Sequence, residues 1–115
     1  MEEQFSRTGL LLGEDALKRL QRSRVAVFGI GGVGGYTVEA LARAGVGTID
    51  VIDSDTVSVS NLNRQLLATY DTVGMLKVDA AKARILSINP NATVNTHPIF
   101  YTPDTAQLLD FSQYD

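Results

Sequence analysis

The sequence predicts an α/β domain with a doubly wound parallel sheet. Short apolar runs alternate with segments of helical periodicity, a glycine-rich turn follows the first apolar run directly, and an aspartate ends the second run. Alternating strands and helices favour parallel strands joined by right-handed crossovers. Only three strands with flanking helices can be placed in the 115 residues, so we expect the first half of such a sheet without the second.

The composition is that of an ordinary globular protein. The formal net charge is −3, with 44 % hydrophobic and 20 % charged residues, which excludes a disordered acidic tail and a highly basic nucleic-acid-binding arm. There is no cysteine, so disulfides, thiolate metal sites and a cysteine nucleophile are excluded. No apolar run reaches the roughly 18 residues of a membrane helix, and residues 1–4 show no signal peptide. We therefore expect a cytoplasmic location and no membrane partner.

Two helices and two strands are predicted in the first half of the chain. Residues 14–22 carry acids in the first turn and bases in the last, which suits the helix dipole, and residues 1–23 are interpreted as an N-terminal helical arm. Residues 24–29 are apolar and rich in β-formers, which predicts a buried strand. A helix over 33–44 follows, ended by two glycines, and then a second strand over 48–53.

The second half is less regular. Residues 54–76 are polar without a clear period, and so long a connection is unusual unless it is functional. Apolar residues spaced by three and four predict a helix over 77–88, and a third strand is expected over 92–97. A Thr-Pro pair with the N-cap and first-turn pattern predicts a last helix over 103–110. The first strand then lacks one neighbour, so we expect either a fragment of a longer protein or an edge closed by a partner.

A phosphate-binding turn is predicted after the first strand. Gly29, Gly31, Gly32 and Gly34 follow that strand and open a helix, and Asp53 ends the next strand. Glycines let the backbone approach a phosphate, the helix N-terminus supplies N–H groups, and the aspartate can accept hydrogen bonds from a ribose. This Rossmann-like pattern predicts nucleotide binding without separating NAD, FAD and ATP. The alternative is that the glycines only allow close helix–strand packing.

The stretch after Asp53 gathers further polar and charged side chains. They are Asp55, Ser60, Asn61, Asn63, Arg64, Gln65 and Lys77. They follow the carboxyl end of a strand, where ligands of such sheets bind. The glycine turn already serves the two phosphates of a dinucleotide, so an additional arginine and lysine favour a triphosphate. The alternative is a solvated polar loop with incidental charges.

Four motifs together resemble the ThiF/MoeB/HesA superfamily of adenylating enzymes, which are related to the ubiquitin-activating enzymes. The motifs are Gly29-Ile-Gly-Gly-Val-Gly34, Asp53-x-Asp55, Ser60-Asn-Leu-Asn-Arg-Gln65 and Gly74-x-x-Lys77. Within the superfamily, the start Phe5-Ser-Arg-Thr8 most resembles the tRNA threonylcarbamoyladenosine dehydratase branch. The resemblance implies that residues 1–115 are the N-terminal part of a ThiF-type ATP-binding domain whose second half is absent.

The same resemblance implies an activity that uses ATP and magnesium. A substrate carboxylate attacks the α-phosphate and gives an acyl-adenylate and pyrophosphate. In the dehydratase branch the carboxylate belongs to the threonylcarbamoyl group on a tRNA adenosine, and loss of AMP closes a ring. The alternatives are activation of a ubiquitin-like sulfur-carrier protein at its C-terminus, an NAD-dependent oxidoreductase, and a nucleotide-binding scaffold without catalysis. The implied partners are tRNA or the carrier protein, together with a second subunit in a homodimer.

Site residues are implied position by position. The implied nucleotide-binding residues are Gly29, Gly31, Gly32, Gly34, Asp53, Asp55, Asn61, Arg64, Gln65 and Lys77. Asp53 matches the ribose ligand, and Asn61 matches a residue that grips the phosphates. Arg64, Lys77 and Arg7 are implied to be catalytic, with Arg7 reaching the ATP site of the other subunit. No residue here is assigned to a metal, because a magnesium-binding aspartate of the family lies in a further strand; the chain alone is therefore expected to have little or no adenylation activity.

Two residues outside these motifs are given no ligand role. His97 is the only histidine and has no cysteine or histidine partner in the sequence, so a surface or packing role is expected in place of a metal site. Asp50, inside the second predicted strand, is interpreted as a satisfied edge or surface residue.

Overall fold

The computed structural model describes residues 3–115, and within them it has three parallel strands and four α-helices. The strands are β1 (Arg24–Phe28), β2 (Thr48–Ile52) and β3 (Thr93–His97), and the helices are α1 (Ser6–Leu12), α2 (Glu14–Arg22), α3 (Val33–Ala44) and α4 (Lys77–Ile88). The strands form one sheet in the order β1–β2–β3. The predicted fold class, the first half of a doubly wound parallel sheet, is confirmed. None of the helices described has the length and hydropathy needed to cross a bilayer.

Most elements begin and end close to the predicted residues. The bounds of α2, α3 and α4 are those predicted, and each strand is one residue shorter than predicted. Gly45 ends α3 in the left-handed conformation, with φ of 92°, and the next N–H, that of Val46, returns to the Leu41 carbonyl at 3.2 Å. Such glycine caps satisfy the last helical carbonyls. Met1 and Glu2, which the predicted N-terminal arm includes, lie outside the described residues.

The helix predicted over 103–110 is wrong. Residues 98–115, called the C-terminal segment below, contain only short 3-10 turns, at Ala106–Leu108 and Phe111–Gln113. The Thr105 hydroxyl accepts from the Thr102 N–H at 2.8 Å and donates to the Phe100 carbonyl at 2.7 Å. Threonine side chains compete in this way with helical hydrogen bonds. The Thr-Pro pattern therefore marks a compact turn here, not the start of an α-helix.

The long connection 54–76 folds back on itself. Thr56 pairs with Leu76 in an isolated antiparallel bridge, and the Lys77 N–H donates to the Asp55 carbonyl at 2.9 Å. These contacts bring the end of the connection back to its start, just beyond the carboxyl end of β2. Asp55 and Lys77, both predicted site residues, are therefore neighbours although they lie 22 positions apart in the sequence.

The two faces of the sheet carry different residue types. Successive side chains of a strand point to opposite faces. The buried residues packed between one face and helices α3 and α4 include Val27, Ile49, Val51, Val94, Val38, Ala42, Val78, Ala81 and Ile85. On the opposite face, the same strands carry Arg24, Asp50, Asn95 and His97. This polar face is contacted by the C-terminal segment.

Asp50 lies at the centre of the polar face and is fully buried, so its interpretation as an edge or surface residue is wrong. Arg24 donates to both carboxylate oxygens, from Nε to Oδ1 at 3.0 Å and from Nη2 to Oδ2 at 2.9 Å. Asn95, His97 and Tyr114 add hydrogen bonds of 2.9 to 3.1 Å. Burial by itself raises the pKa of Asp50, but the hydrogen bonds, led by those from Arg24, lower it to about 2.

Acid is expected to weaken the fold through Asp50. The pKa of the folded state, about 2, lies below the ordinary value of 3.8, so the stabilisation is fully present above about pH 4 and is lost as the pH falls toward about 2. A shift of this size contributes about 2 kcal/mol to the free energy of unfolding. Denaturant titrations across this pH range measure it. In the Asp50→Asn variant the free energy of unfolding should lack the loss that Asp50 causes in acid. The same dependence of the free energy of unfolding on pH in both proteins would contradict the prediction.

Candidate nucleotide-binding site

A cleft of about 340 Å³ opens at the carboxyl ends of β1 and β2, the place where parallel sheets bind their ligands. Phe28 and Gly29 form its wall at the end of β1, residues 53–55 form the wall after β2, and residues 99–101 form a third wall. The predicted ribose ligand Asp53 and the first glycine of the predicted turn therefore border one cleft.

The glycine turn, residues 29–34, connects β1 tightly to α3. Gly29 and Gly32 have φ of 74° and 58°, a conformation that favours glycine. Gly34 has a different requirement, because a Cβ there would lie 1.7 Å from the Gly29 carbonyl oxygen. Helix α3 begins inside the turn, and the first N–H groups of a helix lack acceptors within it. The turn therefore has the chemistry of an anion-binding site.

Asp53 is held by backbone N–H groups on both sides. Its Oδ2 accepts from the Ile30 N–H in the glycine turn at 3.0 Å, and its Oδ1 accepts from the Asp55 N–H at 2.8 Å. The Asp53 N–H itself donates to the His97 carbonyl at 3.2 Å. The carboxylate is thus fixed between the glycine turn and the loop after β2. Each oxygen keeps a second lone pair that can accept from a hydroxyl group.

Asn61 shapes the loop from within. Its Oδ1 accepts from the Ser58 N–H at 2.9 Å and from the Ser58 hydroxyl at 3.0 Å, and the residue is buried. The Ser58 side chain in turn accepts from the Asn61 backbone N–H, so the two residues form a capping box on the 3-10 turn Val59–Asn61. The structure therefore gives Asn61 a local role, and the part of its side chain suited to an anion is the Nδ2 group.

The loop that follows β2 contacts the glycine turn through Gln65. A Cβ added at Gly31 would lie 2.9 Å from Gln65 Nε2, so the two predicted motifs touch. Arg64 is exposed, and its Nη1 donates to the Ser60 carbonyl and to Asn63 Oδ1, both at 2.9 Å. Among the ion pairs of residues 3–115 there is none to Arg64. Its charge is therefore available to an external anion.

Lys77 is the first residue of α4, and its side chain is 9 % exposed. Its Nζ lies 3.8 Å from Oδ2 of Asp55, whose own side chain is 70 % exposed. Because Asp55 lines the cleft, this ion pair places the lysine charge next to it. This ammonium is nearly buried, and the 3.8 Å contact is its one ion pair within residues 3–115, so it retains donors for a second anion.

Arg7 lies apart from these residues. It is on α1, which packs mainly against α2 and the turn Glu3–Phe5. Its side chain is exposed and has no hydrogen bond or ion pair with the part of the chain described. It does not line the cleft. Within one chain, the structure therefore does not bring Arg7 together with the other predicted site residues.

Sequence reasoning missed the aromatic wall of the cleft. The rings of Phe28 and Tyr101 meet edge to face with centroids 4.8 Å apart, a favourable geometry for aromatic pairs. Both remain partly exposed, Phe28 by 40 % and Tyr101 by 44 %. Phe28 directly precedes Gly29, and this position could have placed its side chain at the cleft from the sequence alone. Tyr101 had no such signal, because its place depends on the path of the chain after β3.

The magnesium implied by the resemblance finds no preformed site in residues 3–115. No three acidic or histidine side chains of this range are grouped as metal ligands. Asp53 and Asp55 are the carboxylates at the cleft, and both oxygens of Asp53 already accept from backbone N–H groups. His97, which was given no metal role, bonds to Asp50 on the polar face.

Comparison with known protein sequences points to one family. The model of the ThiF family matches residues 5–115. The tRNA threonylcarbamoyladenosine dehydratase of Bacillus subtilis is 50 % identical over 112 residues, which are 96 % of this chain and 44 % of that protein. The adenylyltransferase and sulfurtransferase uba4 of Ogataea parapolymorpha is 46 % identical over 96 residues, 84 % of this chain and 24 % of that protein.

Comparison with solved structures agrees. The crystal structure of E. coli tRNA N6-threonylcarbamoyladenosine dehydratase, TcdA, in complex with ATP has a TM-score of 0.88 and 45 % identity, and the match covers 92 % of this chain and 44 % of that one. The chain thus spans less than half the length of these dehydratases. Because the family model matches residues 5–115 and these relatives cover 92 % and 96 % of the chain, the chain belongs to the ThiF family.

Proposed function

We propose that this chain forms the nucleotide-binding part of an enzyme that adenylates a carboxylate with ATP. One observation carries the proposal: Gly29 of the glycine turn and Asp53 line one cleft, and Asp53 accepts from the Ile30 N–H of that turn. Gln65, from the loop after β2, lies against Gly31 of the same turn. The dehydratase TcdA, to which the chain is similar, was crystallised in complex with ATP. The likeness and this geometry together support the proposal for the whole protein.

The nucleotide is placed by the chemistry of each wall. Asp53 accepts hydrogen bonds from the ribose, and the glycine turn with the start of α3 offers N–H groups to phosphate oxygens. Arg64 and Lys77 offset the charge that builds up on the departing pyrophosphate. The attacking oxygen comes from the substrate carboxylate, which forms a bond to the α-phosphorus while the bond to pyrophosphate breaks. The remaining contribution is positioning of the two reactants.

The substrate we propose is the threonylcarbamoyl group on a tRNA adenosine, whose activated carboxylate cyclises with loss of AMP. The 50 % identity to the Bacillus subtilis dehydratase favours it. The 46 % identity to uba4, an adenylyltransferase and sulfurtransferase, keeps a second candidate, activation of the C-terminal carboxylate of a ubiquitin-like sulfur carrier. Magnesium would come to either reaction with ATP and would offset the charge of its phosphates, since residues 3–115 hold no preformed metal site. A cytoplasmic location suits both.

We also propose that two copies of the protein pair through α1. Leu10 and Leu11 are each 87 % exposed on this helix, and exposed apolar surface of this kind marks association sites. Arg7 lies on the same helix and has no partner among the described residues of its own chain, so pairing would carry it to the site of the other copy.

Light scattering is expected to give twice the 12.4 kDa of the chain, and a Leu10→Asp, Leu11→Asp double variant should return the measured mass to that of one chain. A single mass for the unaltered chain would contradict the pairing.

Calorimetry with ATP plus magnesium, and separately with NAD, tests the function. We expect ATP to bind and NAD not to bind. We expect Arg64→Ala to weaken ATP binding by about 10-fold to 100-fold, since a charge-assisted hydrogen bond is worth about 1.5–3 kcal/mol. Arg22→Ala is the matched control, because Arg22 is an exposed arginine at the end of α2 with no ion pair among the residues described.

Each other outcome has a defined meaning. Binding of NAD that is indifferent to Arg64 would replace the adenylating function by an oxidoreductase function. Equal losses in the Arg64→Ala and Arg22→Ala variants would show that only net charge matters and would remove Arg64 from the site. Binding of ATP that neither variant changes would also remove it.

A further inference from the structure

The polar face of the sheet is organised by a single buried charge. Asp50, the middle residue of the central strand, binds Arg24 of β1, Asn95 and His97 of β3, and Tyr114 of the C-terminal segment. The opposite face is held by a continuous apolar core under α3 and α4. The two faces therefore differ in what holds them, and a change at Asp50 can be compared with a change in the apolar core.

Arg24 and Tyr114 fasten the C-terminal segment to β1. The Tyr114 hydroxyl donates to Asp50 Oδ2 at 3.0 Å, and the Arg24 guanidinium lies 5.0 Å from the centre of the Tyr114 ring. Arg24 Nη1 donates to Gln113 Oε1 at 2.7 Å. Its backbone N–H donates to Asp115 Oδ2 at 2.8 Å and its carbonyl accepts from the Asp115 N–H at 2.7 Å. One arginine thus joins the buried carboxylate to three consecutive residues of the segment.

Ile52, on the same face of β2 as Asp50, is buried at 2 % exposure, so apolar contacts supply part of the hold on the segment. Of its residues only Leu109 is a buried hydrophobic, at 7 % exposure. Phe100 and Phe111 are exposed by 70 % and 49 %. Because apolar stabilisation scales with the area removed from water, the polar contacts with Arg24 and Asp50 have to supply a large share of the docking.

The segment in turn builds the aromatic wall of the cleft. Phe111 lies 6.3 Å from Tyr114 between ring centres, and 6.1 Å from both Phe28 and Tyr101. Phe28 and Tyr101 line the cleft. A continuous series of side-chain contacts therefore runs from Asp50 through Tyr114 and Phe111 to the wall, although Asp50 itself does not line the cleft.

A second route from Asp50 reaches the cleft through β3. The His97 side chain donates to Asp50 Oδ2 at 2.9 Å, since an ionised carboxylate has no proton to give. The His97 carbonyl accepts from the Asp53 N–H at 3.2 Å and from the Ile99 N–H at 2.8 Å. The same histidine thus fixes the start of the C-terminal segment and the backbone of the predicted ribose ligand.

We propose that Asp50 is a positioning residue that docks the C-terminal segment and thereby holds the aromatic wall of the cleft in place. The docking is a property of the fold; its consequence for ATP rests on the proposed function. Neutralising Asp50 frees the segment and opens the wall while the sheet and helices α3 and α4 stay folded. A destabilising change on the apolar face, by contrast, loosens the C-terminal segment no more than it loosens the rest of the chain.

Hydrogen exchange followed by mass spectrometry of peptides tests the docking. We compare peptides from 98–115 with peptides from 33–44 in Asp50→Asn and in the matched control Val51→Ala, the next residue of β2, which faces the apolar core. We expect Asp50→Asn to speed exchange in 98–115 at least tenfold more than it speeds exchange in 33–44. Val51→Ala should speed exchange in 33–44 at least as much as in 98–115. Equal acceleration of both regions by Asp50→Asn, or unchanged exchange in 98–115, would overturn the proposal.

Tyr114→Phe keeps the test decisive if Asp50→Asn does not fold. It removes one hydroxyl from a half-buried ring and leaves Asp50 paired with Arg24, so the chain should fold. We expect hydrogen exchange to become about threefold faster in 98–115 and not in 33–44. If exchange in 98–115 does not become faster, the proposal is overturned.

An ATP titration of the same variants separates this inference from the proposed function. If the unaltered chain binds ATP, Asp50→Asn should weaken binding several-fold more than Val51→Ala does. Selective loosening of 98–115 with unchanged ATP affinity would overturn the link to the cleft. Absence of ATP binding in the unaltered chain would count against the proposed function, while the exchange data would still decide whether Asp50 docks the segment.

Discussion

Replacing Gly34 by alanine is expected to destabilise the chain by at least about 3 kcal/mol, beyond the usual range for an overpacked site. The added Cβ would lie 1.7 Å from the Gly29 carbonyl oxygen and 2.8 Å from its carbon. Both are backbone atoms that also shape the glycine turn, so no side-chain rotation can relieve the overlap. A loss of this size is a large part of the 5–15 kcal/mol typical of a domain. Urea denaturation measures it.

Gly31→Ala is the matched control in the same turn. Its Cβ would meet the far end of the Gln65 side chain at 2.9 Å, and a flexible side chain can move away. We expect a change in the free energy of unfolding of less than about 1 kcal/mol, within the range of tolerated substitutions. Wild-type stability for Gly34→Ala, or equal losses in the two variants, would show that the turn is looser than the structure has it.

Replacing Lys77 by methionine is expected to weaken ATP binding by 10-fold to 100-fold, about 1.5–3 kcal/mol for the loss of a charge-assisted contact. Methionine keeps an apolar stem of similar length in the nearly buried position and removes only the charge. The loss should therefore be in affinity and not in folding. Calorimetric titration with ATP, with thermal unfolding run in parallel, measures both.

Lys82→Met on the same helix is the control for net charge. Lys82 is exposed and five residues further along α4, so its loss should change ATP affinity by less than twofold. Comparable losses in both variants would mean that Lys77 acts through the overall charge of the chain. A Lys77→Met variant that binds ATP normally would remove the lysine from the site.

The regular part of the fold was predictable because its signals are local. The bounds of α2, α3 and α4 follow from charge at the helix ends, apolar spacing and glycine stops. The 103–110 helix failed because the hydroxyl of Thr105, three residues after the expected cap, offered the backbone a competing turn. A cap pattern indicates where a helix can start. It does not provide the apolar face whose packing would stabilise a short helix.

The candidate site was predictable where it depends on backbone geometry. The glycine turn and Asp53 border one cleft because both follow strands of one parallel sheet. Asp50 was misjudged because one sequence does not show which strand is central, and a carboxylate in a central strand must find partners. Its partners Arg24, Asn95 and His97 are polar residues inside or at the ends of short strands. That repeated departure from apolar strand composition was a signal that could have been used.

The bridge between Thr56 and Leu76 has a consequence for how such a chain can diverge. Because the bridge and the Asp55–Lys77 contacts clamp the base of the connection and Leu67 and Ala68 are buried in the core, the exposed residues around Tyr70 form a short excursion that is held on both sides. The entropic cost of closing such an excursion rises only slowly with its length. Its exposed tip at Tyr70 can therefore lengthen, shorten or change composition while the charges at the base keep their spacing. The length of this loop is thereby free to vary among related chains without moving Asp55 and Lys77 apart.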